Sequence, residues 1–145
     1  FDKQNYKDEK EWYNWVTEKN THSIFLLYKN KIIGFSNGYL NTAVNSETYY
    51  EISFVIKKEY QGKGLGTQIL LIVEHNIRKN PTMVEHNKDK VVGKKTILKM
   101  IAKHYSDNIA SHKAFLKAGW YEAELKNEDK KVKDTQNLVF KIKKL

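Results

Sequence analysis

Three glycines fall within five positions in the run Gln61-Gly62-Lys63-Gly64-Leu65-Gly66, and the segments on its two sides have different periodicities. Upstream, Tyr49-Tyr50-Glu51-Ile52-Ser53-Phe54-Val55-Ile56 is built from β-branched and aromatic residue types, the composition of a strand. Downstream, Leu65, Ile69, Ile72, Val73 and Ile77 recur at helical spacing and form one apolar face. Glycines between a strand and a helix let successive backbone N–H groups converge at the positive helix end, which makes a cradle for phosphate. Lys63 adds a charge of matching sign.

Two familiar glycine loops do not fit. The dinucleotide spacing G-x-G-x-x-G from Gly62 would need glycine where Thr67 stands, and the P-loop would need Gly-Lys-Ser/Thr four residues after a glycine. Both also belong to alternating βα units, whereas three strand-like segments precede this loop. Ser23 to Tyr28 and Ile32 to Leu40, the latter interrupted by Gly34 and Gly38, flank a Lys29-Asn30-Lys31 turn. With Glu47 to Lys57 they predict an antiparallel meander.

The other elements follow from the same signals. Asp8 to Glu18, with Trp12, Trp15 and Val16 at helical spacing and acids in the first turn, reads as a short amphipathic helix. Lys79 to Lys95, with the only proline, Pro81, and many charges, reads as a long loop, and Thr96 to Ala102 as a fourth strand. Asp107 or Asn108 can cap a helix running to about Ala118 and ended by Gly119. Trp120 to Leu125 and Asn137 to Ile142 read as closing strands around a charged loop, Lys126 to Asp134. Mixed order of this kind predicts an α+β fold around one sheet, and 145 residues suit a single domain spanning 1–145.

Charge enters the argument at the loop. The net +9 comes from 25 lysines and one arginine, Arg78, against 17 acids. One arginine fits poorly with reading nucleic acid, where the bidentate guanidinium dominates, so a nucleic-acid partner is disfavoured. Thirteen asparagines beside 25 lysines suggest coding bias as a source of much of the charge. No cysteine is present, which excludes disulfides and thiolate chemistry. No apolar run reaches membrane-spanning length, Phe1-Asp2-Lys3-Gln4-Asn5 lacks the form of a signal peptide, and no His/Asp/Glu cluster has metal-ligand spacing. The expectation is a cytoplasmic protein with neither membrane nor metal partner.

The Gln61-x-x-Gly64-x-Gly66 spacing resembles the central motif of the GCN5-related N-acetyltransferase (GNAT) superfamily, Gln/Arg-x-x-Gly-x-Gly/Ala between strand and helix. A second run, Asn108-Ile109-Ala110-Ser111 followed by Phe115, Lys117 and Gly119-Trp120, is similar to that family's downstream signature, in the right order and context. The resemblance extends from about Asp8 to the C-terminus. It implies a mixed, largely antiparallel sheet flanked by helices, and acetyl-coenzyme A as cosubstrate. Phe54, Val55 and Ile56 would offer backbone groups to pantetheine. Gln61, Gly62, Lys63, Gly64, Leu65, Gly66 and Thr67 would take the phosphates, and Asn108 and Ser111 would lie along the pantetheine arm. The resemblance further implies a primary amine on a small molecule or peptide as acceptor, and leaves room for a homodimer. Members of the family usually open with a strand and helix ahead of the segment placed here at Asp8, so those elements are expected to be missing.

Acyl transfer to an amine needs a base for the amine, polarisation of the carbonyl and a proton for the thiolate. Glu51, on the strand that would meet pantetheine, is the candidate base. The family's acid, a Tyr seven residues after the motif Asn, is Phe115 here, and a phenyl ring donates no proton. The alternatives are another tyrosine, with Tyr105 and Tyr121 nearby, a water, or no acid at all, since a thiolate is already a fair leaving group, while His104 and His112 read as structural. The same substitution motivates a second reading, a non-catalytic coenzyme A-binding regulatory module. A lysine-rich nucleic-acid binder is the third.

Overall fold

In a computed structural model, residues 7–8, 10–11, 23–44, 47–87, 90–123 and 138–145 are described. β1 (Ile24–Tyr28) and β2 (Lys31–Val44) form a hairpin. Its turn residues, Lys29 and Asn30, have φ of 48° and 60°, the left-handed pair that matches the twist of the flanking strands. β3 (Glu47–Ile56) continues the antiparallel meander. A 3₁₀ turn at Lys58–Tyr60 and the glycine loop lead into α1 (Leu65–Lys79). After β4 (Thr82–Asn87) and β5 (Lys90–Thr96), β6 (Lys99–Tyr105) enters the main sheet. α2 (Ile109–Lys117), β7 (Tyr121–Ala123) and β8 (Leu138–Lys144) follow.

The main sheet has the order β1-β2-β3-β6-β8-β7. Every pairing is antiparallel except β3 with β6, so the sheet is mixed and largely antiparallel, as expected. α1 buries Ile69, Leu70, Val73 and Ile77 against Tyr50, Ile52 and Ile56 of β3 and Met100 and Ala102 of β6. Leu70 takes the place expected of Ile72, which is 40% exposed. Strand alternation sends Tyr49, Ile101 and Ile142 to the opposite face, where they form a smaller cluster.

Three expectations change. Lys79 to Lys95 is not a loop: β4 and β5 pair from Thr82↔Thr96 to Asn87↔Lys90 as a separate two-stranded sheet. A ribbon outside the main sheet pairs its backbone within itself and leaves Lys94 and Lys95 exposed, so charge density did not reveal it. Met83, 5% exposed, and Ile97, 1% exposed, anchor its base in the core. The fourth strand accordingly starts later than Thr96, at Lys99, because Thr96 belongs to β5 and the Ile97 amide donates to the Pro81 carbonyl at 2.7 Å. Gly34 and Gly38 do not interrupt β2; they make room for neighbours, and the buried Tyr50 ring lies where a Cβ on Gly38 would stand.

Only the start of the expected Asp8 to Glu18 helix is described. Lys10 and Glu11 are helical, with the Glu11 amide donating to Asp8 Oδ1 at 2.8 Å, an N-terminal cap, and the Lys7 amide donating to Glu11 Oε2 at 2.7 Å. Trp12, Trp15, the end of the strand expected to reach Leu125 and the loop Lys126 to Asp134 lie outside the described residues.

Candidate active site

The glycine loop turns twice through the left-handed region, at Gly62 (φ 77°) and Gly64 (φ 78°), where a side chain is strained. A Cβ at either position would meet no atom within 4 Å, so the loop is open in front. Gly64 is the N-cap of α1 and supplies no side-chain hydrogen bond, and the first turn carries no acid. The opening amides of a helix have no intrahelical acceptor, which leaves a converging set of donors at the positive helix end. The Gln61 side chain plays a geometric part, its Nε2 donating to the Ile56 carbonyl at 2.9 Å and tying the loop to the end of β3.

In front of this loop lies a cavity of about 570 Å³ between β3, α1 and α2. Of the twelve residues expected at a phosphate and pantetheine site, Phe54, Val55, Ile56, Gln61, Gly62, Gly64, Leu65, Gly66, Thr67, Asn108 and Ser111 line it. Lys63 is not on that wall; its Nζ sits 5.6 Å from the centre of the Tyr60 ring, a cation–π contact. Lys113 and Lys117 of α2 line the cavity instead. Their i,i+4 spacing on a helix opened by the motif Asn was the available signal. Asn108 caps α2, its Oδ1 accepting from the Ser111 amide at 3.1 Å.

A second cavity, about 240 Å³, adjoins the first through the shared residues Phe54, Asn108 and Ser111. It exists because β3 and β6 pair only at Tyr50↔Met100 and Glu51↔Ile101 and then part. Ile52 and Ser53 form one side of the gap and Lys103, His104 and Tyr105 the other. The backbone of β3 beyond Glu51 therefore lacks a partner strand on its β6 side, a position where an extended ligand can take up strand-like hydrogen bonds.

Glu51 stands at the last paired rung, 5% exposed. One carboxylate oxygen lies 3.0 Å from Lys103 Nζ, and the other accepts a hydrogen bond from the Tyr39 hydroxyl. Glu51 lines neither cavity, but its partner Lys103 lines the second. On the α2 side Phe115 is 3% exposed, packed edge-on against Trp120 at 5.0 Å. His104 lies flat on it, 6.0 Å between centres and 11° between planes. His104 Nδ1 is 2.7 Å from the Tyr105 carbonyl, while its buried Nε2 has no hydrogen-bond partner. Tyr105 lines the second cavity and Tyr121 lines neither. His104 and Lys103 went unnoticed as wall residues because the strand that carries them was expected to end at Ala102.

Behind α2, Lys141 is fully buried, with Nζ 2.8 Å from Glu122 Oε1 and 2.9 Å from His112 Nδ1. Its hydrogen bond first, and its charge second, hold the Glu122 carboxyl below the ordinary value. Burial pushes the Tyr50 phenol well above its ordinary value, so Tyr50 is a neutral core group. Among the described residues no cluster of His, Asp and Glu is arranged to hold a metal, and no helix is long and apolar enough to cross a membrane.

The sequence profile described as acetyltransferase (GNAT) family matches residues 1–120. Among curated protein sequences none matches the chain. Solved structures share its fold at low identity. A ribosomal-protein-alanine N-acetyltransferase from Brucella melitensis superposes with a TM-score of 0.67 at 14% identity, covering 94% of this chain and 76% of its own. An acetyltransferase of the GNAT family from Streptococcus pneumoniae gives 0.65 at 13% identity over 92% and 71%. An aminoglycoside acetyltransferase in complex with coenzyme A and kanamycin gives 0.63 at 13% over 93% and 76%.

Proposed function

The chain belongs to the acetyltransferase (GNAT) family, and from that premise we propose that it transfers an acetyl group from acetyl-coenzyme A to a primary amine of a small molecule or peptide, the amine attacking the thioester directly in a ternary complex. The carrying observation is that two cavities, one under a helix N-terminus with open amides and the other in the gap between β3 and β6, adjoin at Phe54, Asn108 and Ser111. A ligand with phosphates at one end and an amide-bearing arm at the other suits that sequence of walls.

Gly62, Gly64, Leu65, Gly66 and Thr67 would bind the pyrophosphate through backbone amides, with Lys113 and Lys117 beside them and Lys63 outside. Phe54, Val55 and Ile56 would pair with the pantetheine arm. The side-chain oxygen of Asn108 is engaged in capping, which leaves its amide NH₂ to donate to the arm, and Ser111 would stand alongside. Bound there, acetyl-coenzyme A supplies the activated acetyl group. Positioning and backbone polarisation would carry most of the rate. Glu51 is the candidate base and acts only once its contact with Lys103 is exchanged for the incoming amine. Phe115 lines the second cavity but carries no proton, so Tyr105, on the same wall, is the candidate donor to the thiolate.

Titration with acetyl-coenzyme A should raise the melting temperature, and Gly64→Asp, which puts a carboxylate into the cradle, should abolish the rise. No shift at millimolar ligand overturns the reading. The occupied carboxylate of Glu51 and the phenyl of Phe115 favour one alternative, a non-catalytic coenzyme A-binding module; it would show the thermal shift without thiol release on any panel of primary amines.

A further inference from the structure

We propose that Lys103 is a self-acetylation site, its ε-amine taking the acetyl group of acetyl-coenzyme A bound in the same chain. The inference rests on the function proposed above, which places the thioester end of the cosubstrate in the second cavity.

Three observations converge on this amine. Lys103 follows the last β3–β6 rung by two residues, so its side chain leaves the sheet on the same face as Glu51. Its Nζ is 3.0 Å from a Glu51 oxygen, close enough for a carboxylate to take a proton from an ammonium. It is also the one lysine, among the described residues, that lines the second cavity, and its side chain is 38% exposed. The other described lysines near the site differ in one of these respects. Lys113 and Lys117 line only the first cavity, and Lys141 is sealed behind α2 and held by Glu122 and His112.

An amine held beside a thioester reacts as if present at very high concentration, with effective molarities on the order of 10⁵ to 10⁸ M for well-aligned groups. Glu51 accepts one proton from the Lys103 ammonium, and the exposed nitrogen lone pair adds to the thioester carbonyl. The C–N bond forms as the C–S bond breaks. The nitrogen sheds its second proton, the departing thiolate takes up one, and the proton on Glu51 passes to solvent. The products are an amide at Lys103, coenzyme A as its thiol and one proton. The amide is neutral, so the ion pair with Glu51 ends with the transfer.

The test incubates the whole chain with acetyl-coenzyme A and no added amine, and follows intact mass and peptide maps beside a thermal-shift titration. One acetyl group should accumulate at Lys103 faster than at Lys113 or Lys117, and heat-denatured chain should lose that preference. Lys103→Arg keeps the positive charge opposite Glu51 and should lose this increment, while Glu51→Gln should slow it by about 10²-fold or more. A thermal shift with Lys103 unmodified, or modified no faster than Lys113 and Lys117, overturns the inference and leaves the proposed function standing. Absence of any thermal shift overturns the proposed function and this inference with it. Because the wild-type peptide map alone decides between these outcomes, misfolding of the Glu51→Gln variant would not rescue the proposal.

Discussion

The imidazole of His104 lies flat on the ring of Phe115, 6.0 Å from centre to centre and 11° from parallel. Trp120 meets the same phenyl ring edge-on and Phe54 meets it at 5.7 Å, so Phe115 is enclosed by aromatic rings. Phe115→Ala should cost about 3–5 kcal/mol of folding stability. Chemical denaturation checks this as a lower midpoint at an unchanged slope. A loss under 1 kcal/mol would show that the ring is not a core group.

Phe115 lines the second cavity but carries no proton, and on the proposed function Tyr105 of the same wall supplies the thiolate's proton. Tyr105→Phe should lower kcat by about 10²-fold or more, the scale of general acid help, and leave the KM for acetyl-coenzyme A nearly unchanged. Tyr121→Phe should leave kcat intact, since Tyr121 lines neither cavity. Steady-state kinetics on the best acceptor found separates the two.

Gly66 sits where a Cβ would come within 2.8 Å of the Phe54 ring and 3.5 Å of the Ala114 Cβ. Gly66→Ala should destabilise the fold by about 1–3 kcal/mol, as overpacking does, and weaken acetyl-coenzyme A binding because Phe54 lines both cavities. Gly38→Ala would meet the buried Tyr50 ring and should cost at least as much without a direct effect on the cosubstrate site. Paired thermal and calorimetric titrations distinguish a binding defect from a folding defect.

Lys113 and Lys117, rather than Lys63, line the first cavity. The double change of both to Ala should weaken acetyl-coenzyme A binding by roughly tenfold, equivalent to about 1.4 kcal/mol, and flatten its salt dependence. Lys63→Ala, which removes only the contact over Tyr60, should have a smaller effect. Equal losses would return Lys63 to the phosphate site.

Glu122 is directly opposite Lys141 in the β7–β8 pair, and its carboxyl is held below the ordinary 4.5 by that residue's hydrogen bond and charge. A lowered folded value means the unfolded chain binds the proton more readily, so this contribution is present above 4.5 and is lost as pH falls through the folded value. Wild type should therefore melt higher than Glu122→Gln at neutral pH, and the gap should close in acid. A gap that is constant across the acid range would show that the ionised carboxylate does not stabilise the fold.

The loop and its helix were legible in the sequence because their geometry is local. Gly62 and Gly64 occupy backbone conformations that other residues resist, and Asn108 caps α2 by a bond to an amide three residues on. The Lys29-Asn30 turn is equally local, and so the meander, the glycine loop and the cap at Asn108 all fell where the residue types put them. The registry between distant strands was not legible. Lys103 against Glu51, His104 on Phe115 and the early parting of β3 from β6 depend on which residues face each other across the sheet. A strand end displaced from Ala102 to Tyr105 was enough to hide Lys103 and His104 from the cavity wall. Nor could residue type say which lysines would line the first cavity, because lysines are common throughout the chain and only the packing of α2 across from the loop brings Lys113 and Lys117 to its wall. Local backbone preference thus determined the glycine loop, and tertiary packing decided which charged and titratable groups stand around it.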